Sequence, residues 1–245
     1  MKFVIFSGTA EGRALSSALA EAGAEVTVCV ASAYGCEQQG EIPGVETLIG
    51  PLSAVEKAAL LKKTVLCVDA THPYATHISQ SVREACEASG VRCVRLQREE
   101  SEAKNALWMD SAAEAAAYLA QREGNILLTT GAKELSAFSA LSPQRLFPRV
   151  LPSHESLSAC EAAGIPHRNI IAMQGPLSCE MNEATLRQFS VSWLVTKDGG
   201  STGGFPEKAE AARKAGVTMI VLRRPQDSGM SYDAVLDLCL EILHE

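Results

Sequence analysis

Short apolar runs rich in Val and Ile alternate with amphipathic stretches of roughly a dozen residues along nearly the whole chain. Runs so short and so uniformly apolar read as strands covered on both faces. A helix between each pair of strands makes their pairing parallel. The chain is thereby constrained to an α/β fold of doubly wound, mostly parallel sheets. Strands are expected near 2–6, 25–30, 45–49, 64–69 and 91–97, then near 125–130, 145–150, 168–173, 191–197 and 218–223, with a terminal helix from about Tyr232 to His244. Between the two sets the sequence turns polar, REESEAKN over residues 98–105, which divides the chain into domains of 1–100 and 101–245. No sequence repeat relates the halves. In such sheets ligands collect at the carboxyl ends of strands, and two such edges facing each other would make a cleft.

Local signals refine this outline. Ser53-x-x-Glu56 and Ser111-x-x-Glu114 read as capping boxes that open helices. Ala75, Ile78, Val82, Ala85 and Cys86 fall on one stripe of a helix expected to open at Pro73. With 47% apolar and 21% charged residues, the composition suits a folded protein in water. No apolar stretch approaches the roughly 20 residues that span a bilayer, and Met1–Phe6 meets Ser7-Gly8 too soon for a signal core, so a cytoplasmic location and no membrane association are expected. The eight cysteines include no C-x-x-C pair. Cys29, Cys67, Cys86, Cys93 and Cys239 fall on strands or apolar helix faces, and all read as reduced core residues. The five histidines are too scattered for a metal centre, so no metal is expected.

A net charge of −7 argues against bulk nucleic-acid binding but not against a small anionic ligand. Arg13, Lys133, Arg149, Lys197 and Lys208 recur near expected loops; for Lys133 and Arg149, scattered solvated charge is an equally good account.

Four loops carry chemistry. In residues 3–19, Gly8 permits a tight turn before a helix whose exposed N–H groups favour an anion. The spacing is G-x-x-x-G, and Ala31-Ser32-Ala33 stands where a ribose-binding acid is usual, so a purely structural turn is the competing account. Residues 195–212, VTKDGGSTGGFPEKAEAA, place four glycines before Pro206 at a helix start, with Lys197 or Lys208 as counter-charge to a phosphate or carboxylate. Residues 125–138 repeat the arrangement with Thr129-Thr130-Gly131 before a helix; ordinary capping explains these hydroxyls nearly as well. DATHPYATHIS, residues 69–79, puts Asp69, His72 and Tyr74 after a strand, able to bind a polar ligand or move a proton, or merely to cap a helix.

GTAEGR, DATHPYATHIS, TTGAKEL and TKDGGSTGGFPEK, in that order and over nearly the full length, resemble the precorrin-6A reductase family of cobalamin biosynthesis. The resemblance implies two Rossmann-like domains and an oxidoreductase that uses NADPH or NADH to reduce one double bond of precorrin-6A, or of its cobalt complex. It places the cofactor among Gly8, Thr9, Gly12, Arg13, Thr130, Gly131, Lys197, Gly200, Ser201, Gly203 and Gly204. It places the substrate against Thr71, His72, Lys133 and Lys208, with Asp69, His72 and Tyr74 catalytic. The oligomeric state and the division of loops between cofactor and substrate stay open. Two other readings fit the residues: a non-catalytic two-domain protein closing on an anionic small molecule, and a glycosyltransferase using a nucleotide sugar.

Overall fold

The computed structural model spans residues 1–245 and describes all but 98–100, 102, 104 and 226–227. The chain divides into two compact units, Met1–Glu99 with Pro225–Glu245, and Glu100–Arg224. In the first unit the elements run β1 (Lys2–Phe6), α1 (Ala10–Glu21), β2 (Glu25–Val30), α2 (Ala33–Gln39), β3 (Val45–Ile49), α3 (Ala54–Leu61), β4 (Thr64–Asp69), α4 (Thr76–Ser89) and β5 (Cys93–Arg95). The second unit continues with β6 (Leu107–Met109), α5 (Ala112–Ala120), β7 (Asn125–Thr129), β8 (Leu146–Val150), α6 (His154–Ala162), β9 (Ile171–Ala172), α7 (Cys179–Gln188), β10 (Val191–Lys197), α8 (Phe205–Ala215) and β11 (Thr218–Leu222). The last helix, α9 (Tyr232–His244), returns to the first unit. No helix among the described residues is long and apolar enough to cross a membrane.

Both sheets are parallel throughout. Their orders are β3-β2-β1-β4-β5 and β6-β11-β10-β7-β8-β9. Read from its other end, the second contains β9-β8-β7-β10-β11, the same winding as the first. A topological repeat therefore exists where the sequence shows none. Even the edges correspond. β6 lies beside β11, and in the first unit Leu96 bridges Met230 in parallel, with the Gln97 N–H donating to the Met230 carbonyl at 2.8 Å. α5 follows β6 as α9 follows Met230.

The first boundary falls within one residue of the expected one, but residues 225–245, expected in the second domain, belong with the first unit. Val235 and Cys239 are fully buried there in one cluster with Phe3, Ile5, Leu15 and Leu19. α1 alone would leave part of that sheet face bare. Val235→Ala should lower the stability of the first unit by about 2 kcal/mol through the cavity it leaves. Hydrogen exchange would then quicken in peptides of β1 and β2 while those of β7 and β10 stay unchanged.

Local differences have local causes. α4 starts at Thr76 rather than Pro73, because His72–Ala75 form a β-turn closed by the Ala75 N–H on the His72 carbonyl at 2.8 Å, with Pro73 at its second position. Its buried stripe holds Ser79 in place of Ile78, which is exposed. After Gly131 the chain takes a 3₁₀ turn over Ala132–Phe138 instead of an α-helix. Leu135 and Phe138, three apart, eclipse on one buried face there. Ser53 and Glu56 complete their capping box. Glu114 instead accepts from the Asp110 N–H at 2.8 Å, so Ser111 caps α5 alone. β6 went unmarked in the sequence because three residues beside a polar segment carry no periodicity.

Candidate functional site

The winding of each sheet reverses between its two central strands, β1 and β4 in one unit and β7 and β10 in the other. A crevice opens at such a reversal, because the connections leave in opposite directions. All four loops singled out in the sequence end at these two places, two at each.

At the first reversal, Thr9 caps α1 by accepting from the Gly12 N–H at 3.1 Å, and its hydroxyl donates to the Ala70 carbonyl at 2.8 Å, tying the two loops together. Gly8 has φ +150°, a conformation that side chains disfavour, and no described atom lies within 4 Å of where its Cβ would be. The backbone before α1 is thus open to close approach by an anion at the helix start. A Cβ on Gly12 would lie 2.5 Å from Ser7 Oγ, so that glycine serves close packing of helix on strand. Arg13 is exposed and lines an open depression of about 420 Å³ with Ala10, Ser17 and Glu41.

Asp69 is 2% exposed and points inward. Its Oδ1 accepts from the Thr71 N–H at 3.1 Å, the Thr71 hydroxyl at 2.7 Å and Arg95 Nη1 at 2.8 Å. Arg95 also donates to the Asp69 carbonyl at 3.1 Å. Asp69 therefore organises an Asx turn rather than capping a helix. Thr71 shares a hydrogen bond with Ser79 of α4 at 3.2 Å, which anchors the helix to the loop. His72 is exposed and Tyr74 half-buried, their rings 5.6 Å apart. The Tyr74 N–H donates to His72 Nδ1 at 3.4 Å, which leaves Nε2 to carry the proton of a neutral ring. His77 is exposed, a helical position beyond this group.

The second reversal repeats the device. Asp198, 2% exposed, accepts from the Gly200 N–H at 3.2 Å and from Arg224 Nη2 at 2.9 Å, while Arg224 Nε donates to the Asp198 carbonyl at 3.0 Å. Each Asp thus follows or ends a central strand, bonds the amide two residues on, and meets an arginine 26 positions later. Burial alone would raise the Asp198 carboxyl, but hydrogen bonds from Ser101 and Arg224, with the charge of Arg224, hold it below the ordinary range. Thr130 is buried and its Oγ1 has no hydrogen-bond partner among the described residues. Lys197 pairs with Glu134 at 2.8 Å and so is engaged within the protein.

The glycine-rich loop makes a single 3₁₀ turn, Ser201–Gly203. Gly204 then serves as N-cap of α8, which has no side-chain cap; Phe205 rather than Pro206 is its first residue. Lys208, in the first turn of α8, is buried and donates to the Gly203 carbonyl at 3.2 Å. Arg149 of β8 donates to Asn182 Oδ1 at 2.7 Å. Among the described residues neither cation has a carboxylate at ion-pair distance. Burial, then the charge of Arg149, pulls Lys208 down to about 8, and burial pulls Arg149 to about 10. Lys133, Gly131 and Ser201 are exposed.

The sign of the Lys208 shift fixes a pH dependence. Its native pKa of about 8 lies below the ordinary 10.5, so between those values the unfolded chain binds more protons and this group makes stability rise with pH. Affinity for an anion at this site should instead weaken above pH 8 as the charge is lost. Calorimetric titration with sulfate, whose charge is constant over this range, at pH 7 and pH 9 should show the weakening, and Lys208→Met should remove most of the pH dependence.

Two doubly wound units, each with an open or cationic helix start at the reversal of its sheet, define a protein of the Rossmann-like class. The chain belongs to the family described as precorrin-6x reductase CbiJ/CobK, whose model matches residues 2–240. It is 34% identical over 229 residues to the cobalt-precorrin-6A reductase of Salmonella typhimurium, covering 91% of this chain and 87% of that protein. With the protein of the same name from Priestia megaterium the identity is 31% over 250 residues, covering 98% and 96%. The solved structure titled CobK precorrin-6A reductase shares the fold, with a TM-score of 0.79 at 23% identity over 98% of this chain and 97% of that one.

Of the residues central to this geometry, Arg95, Asp198 and Arg224 stood outside the sites expected from sequence, while Arg149 was named there only among the cations near loops. Only the equal Asp-to-Arg spacing of 26 residues in the two halves could have pointed to the first three.

Proposed function

We propose that the chain reduces one double bond of precorrin-6A, as its cobalt complex or metal-free, to the 6B form in the cytoplasm, using NADPH or NADH. The observation that carries this reading is the open Gly8–Thr9 turn at the start of α1, tied by the Thr9–Ala70 hydrogen bond to the loop that bears His72 and Tyr74, in a member of the precorrin-6x reductase family. A bound reduced nicotinamide supplies a hydride to one carbon of the double bond, and the adjacent carbon needs a proton. Gly8, Thr9 and the helix start hold the pyrophosphate, with Arg13 on the next turn, and Gly12, expected from sequence to join them, instead lets the helix pack closely on the strand end. His72 holds the proton at Nε2 and Tyr74 orients its ring. Asp69, Arg95 and Thr71 are positioning residues that fix the turn bearing His72.

The second reversal suits further anionic groups, whether cofactor phosphates or the carboxylates of a macrocycle. Lys208 and Arg149 supply buried charge and the Thr130 hydroxyl beside Gly131 supplies a hydrogen bond, while Gly200, Gly203 and Gly204 shape the turn around the exposed Ser201, their own N–H groups donating to Asp198 and to the Gly200 and Ser201 carbonyls. Lys133 reaches carboxylates from the surface, and Lys197 stays with Glu134. The pure-binding and glycosyltransferase readings give way to family membership.

Binding to the native state alone raises its melting temperature. Saturating NADPH or NADH should do so for the wild-type chain, and Gly8→Val should lose the shift while its urea midpoint shows it folded. No shift with either cofactor would sink the reading. A normal shift in Gly8→Val would remove the turn from the cofactor site.

A further inference from the structure

Three of the eight cysteines meet on the sheet face covered by α3 and α4. Cys67 of β4 and Cys93 of β5 are register partners, Cys86 comes from α4, and the three sulfurs all lie within 4.8 Å of one another. Val4, Phe6, Leu61, Val82 and Ala85 belong to the same apolar cluster. Cys67 and Cys86 are buried and Cys93 is half-buried, so one sulfur offers access from the surface. Among the described residues no imidazole or carboxylate completes the set.

We propose that Cys67, Cys86 and Cys93 form a site for one three-coordinate, trivalent thiophilic centre of the arsenite class. Three sulfur donors select a soft acceptor. Structural zinc asks for a fourth ligand in a tetrahedron, which this apolar surrounding does not provide. Charge narrows the choice further. Three thiolates carry three negative charges, and only a trivalent centre leaves a neutral complex in a medium where net charge is costly. A monovalent copper ion would leave two negative charges and a divalent ion one. The exchange balances without an oxidant: arsenite, As(OH)₃, gains three As–S bonds as three As–O and three S–H bonds break, and each hydroxide leaves with a thiol proton as water. The bound centre would clamp α4 to β4 and β5, one pleat below Asp69 and Arg95 on the same two strands.

The test uses the full-length reduced protein and arsenite alone. Native mass spectrometry should show a gain of one arsenic less three hydrogens. Thiol titration after unfolding should show three fewer reactive groups, and the melting temperature should rise. Cys86→Ser should take up no arsenic at the same concentration. Cys93→Ser, at the half-buried position and so easier to accommodate, should behave alike, whereas Cys36→Ser and Cys179→Ser should bind as the wild type does. The proposal is overturned if wild type takes up no arsenic, if Cys93→Ser takes up as much as wild type, or if zinc displaces arsenite from the site.

Discussion

Asp69→Ala is expected to lower the stability of the folded protein by roughly 3–5 kcal/mol, because it takes one buried member from the Asp69–Arg95 ion pair. The Arg95 side chain is 10% exposed and its partner 2.8 Å away, so solvent cannot replace the lost interaction. Urea denaturation would measure the loss. The double variant Asp69→Ala/Arg95→Ala should be markedly less destabilised than the sum of its two parents, since the two residues act as a pair. Asp198→Ala should behave in the same way, with Arg224 as the group left behind; its side chain is only 7% exposed. A stability within about 0.5 kcal/mol of wild type for Asp69→Ala would mean that the pair does not hold the loop.

His72→Ala should give the opposite pattern. His72 is exposed, so stability should change by no more than about 0.5 kcal/mol. Turnover of the macrocycle should fall about 10²–10⁴-fold if the imidazole delivers the proton, with nicotinamide affinity intact. Single-turnover kinetics with preloaded cofactor separates the two quantities. His72→Gln, which keeps a hydrogen-bond donor but cannot pass on a proton, should stay as slow as His72→Ala. Equal loss of cofactor affinity and rate would instead make His72 part of the cofactor site. The two variants together separate the residue that shapes the turn from the residue that acts on it.

The fold was legible because buried parallel strands advertise themselves. Runs such as Val65–Val68 and Val191–Val195 are too apolar for any surface element and too short for a buried helix. The ends of strands were legible for the same reason, and so were the loops that follow them. The destination of α9 was not. Its apolar stripe demands a sheet face but does not say which sheet, and proximity in sequence pointed to the wrong one. The inward turn of Asp69 was also hidden, because it depends on Arg95, which arrives from a neighbouring strand. The three thiols show the same limit. Cys67, Cys86 and Cys93 have no metal-like spacing, and only the pairing of β4 with β5 brings them together.

Deuterium transfer tests the proposed reduction most directly. The purified protein would be given cobalt-precorrin-6A, or the metal-free macrocycle, with NADPH or NADH deuterated on either face of C4. One deuterium per macrocycle should appear in the 6B product from one face only, with one nicotinamide oxidised for each product formed. Addition of Gly8→Val in place of the wild type should abolish the transfer. Product formation without deuterium from either face, or no reduction of either macrocycle with either cofactor, would contradict it.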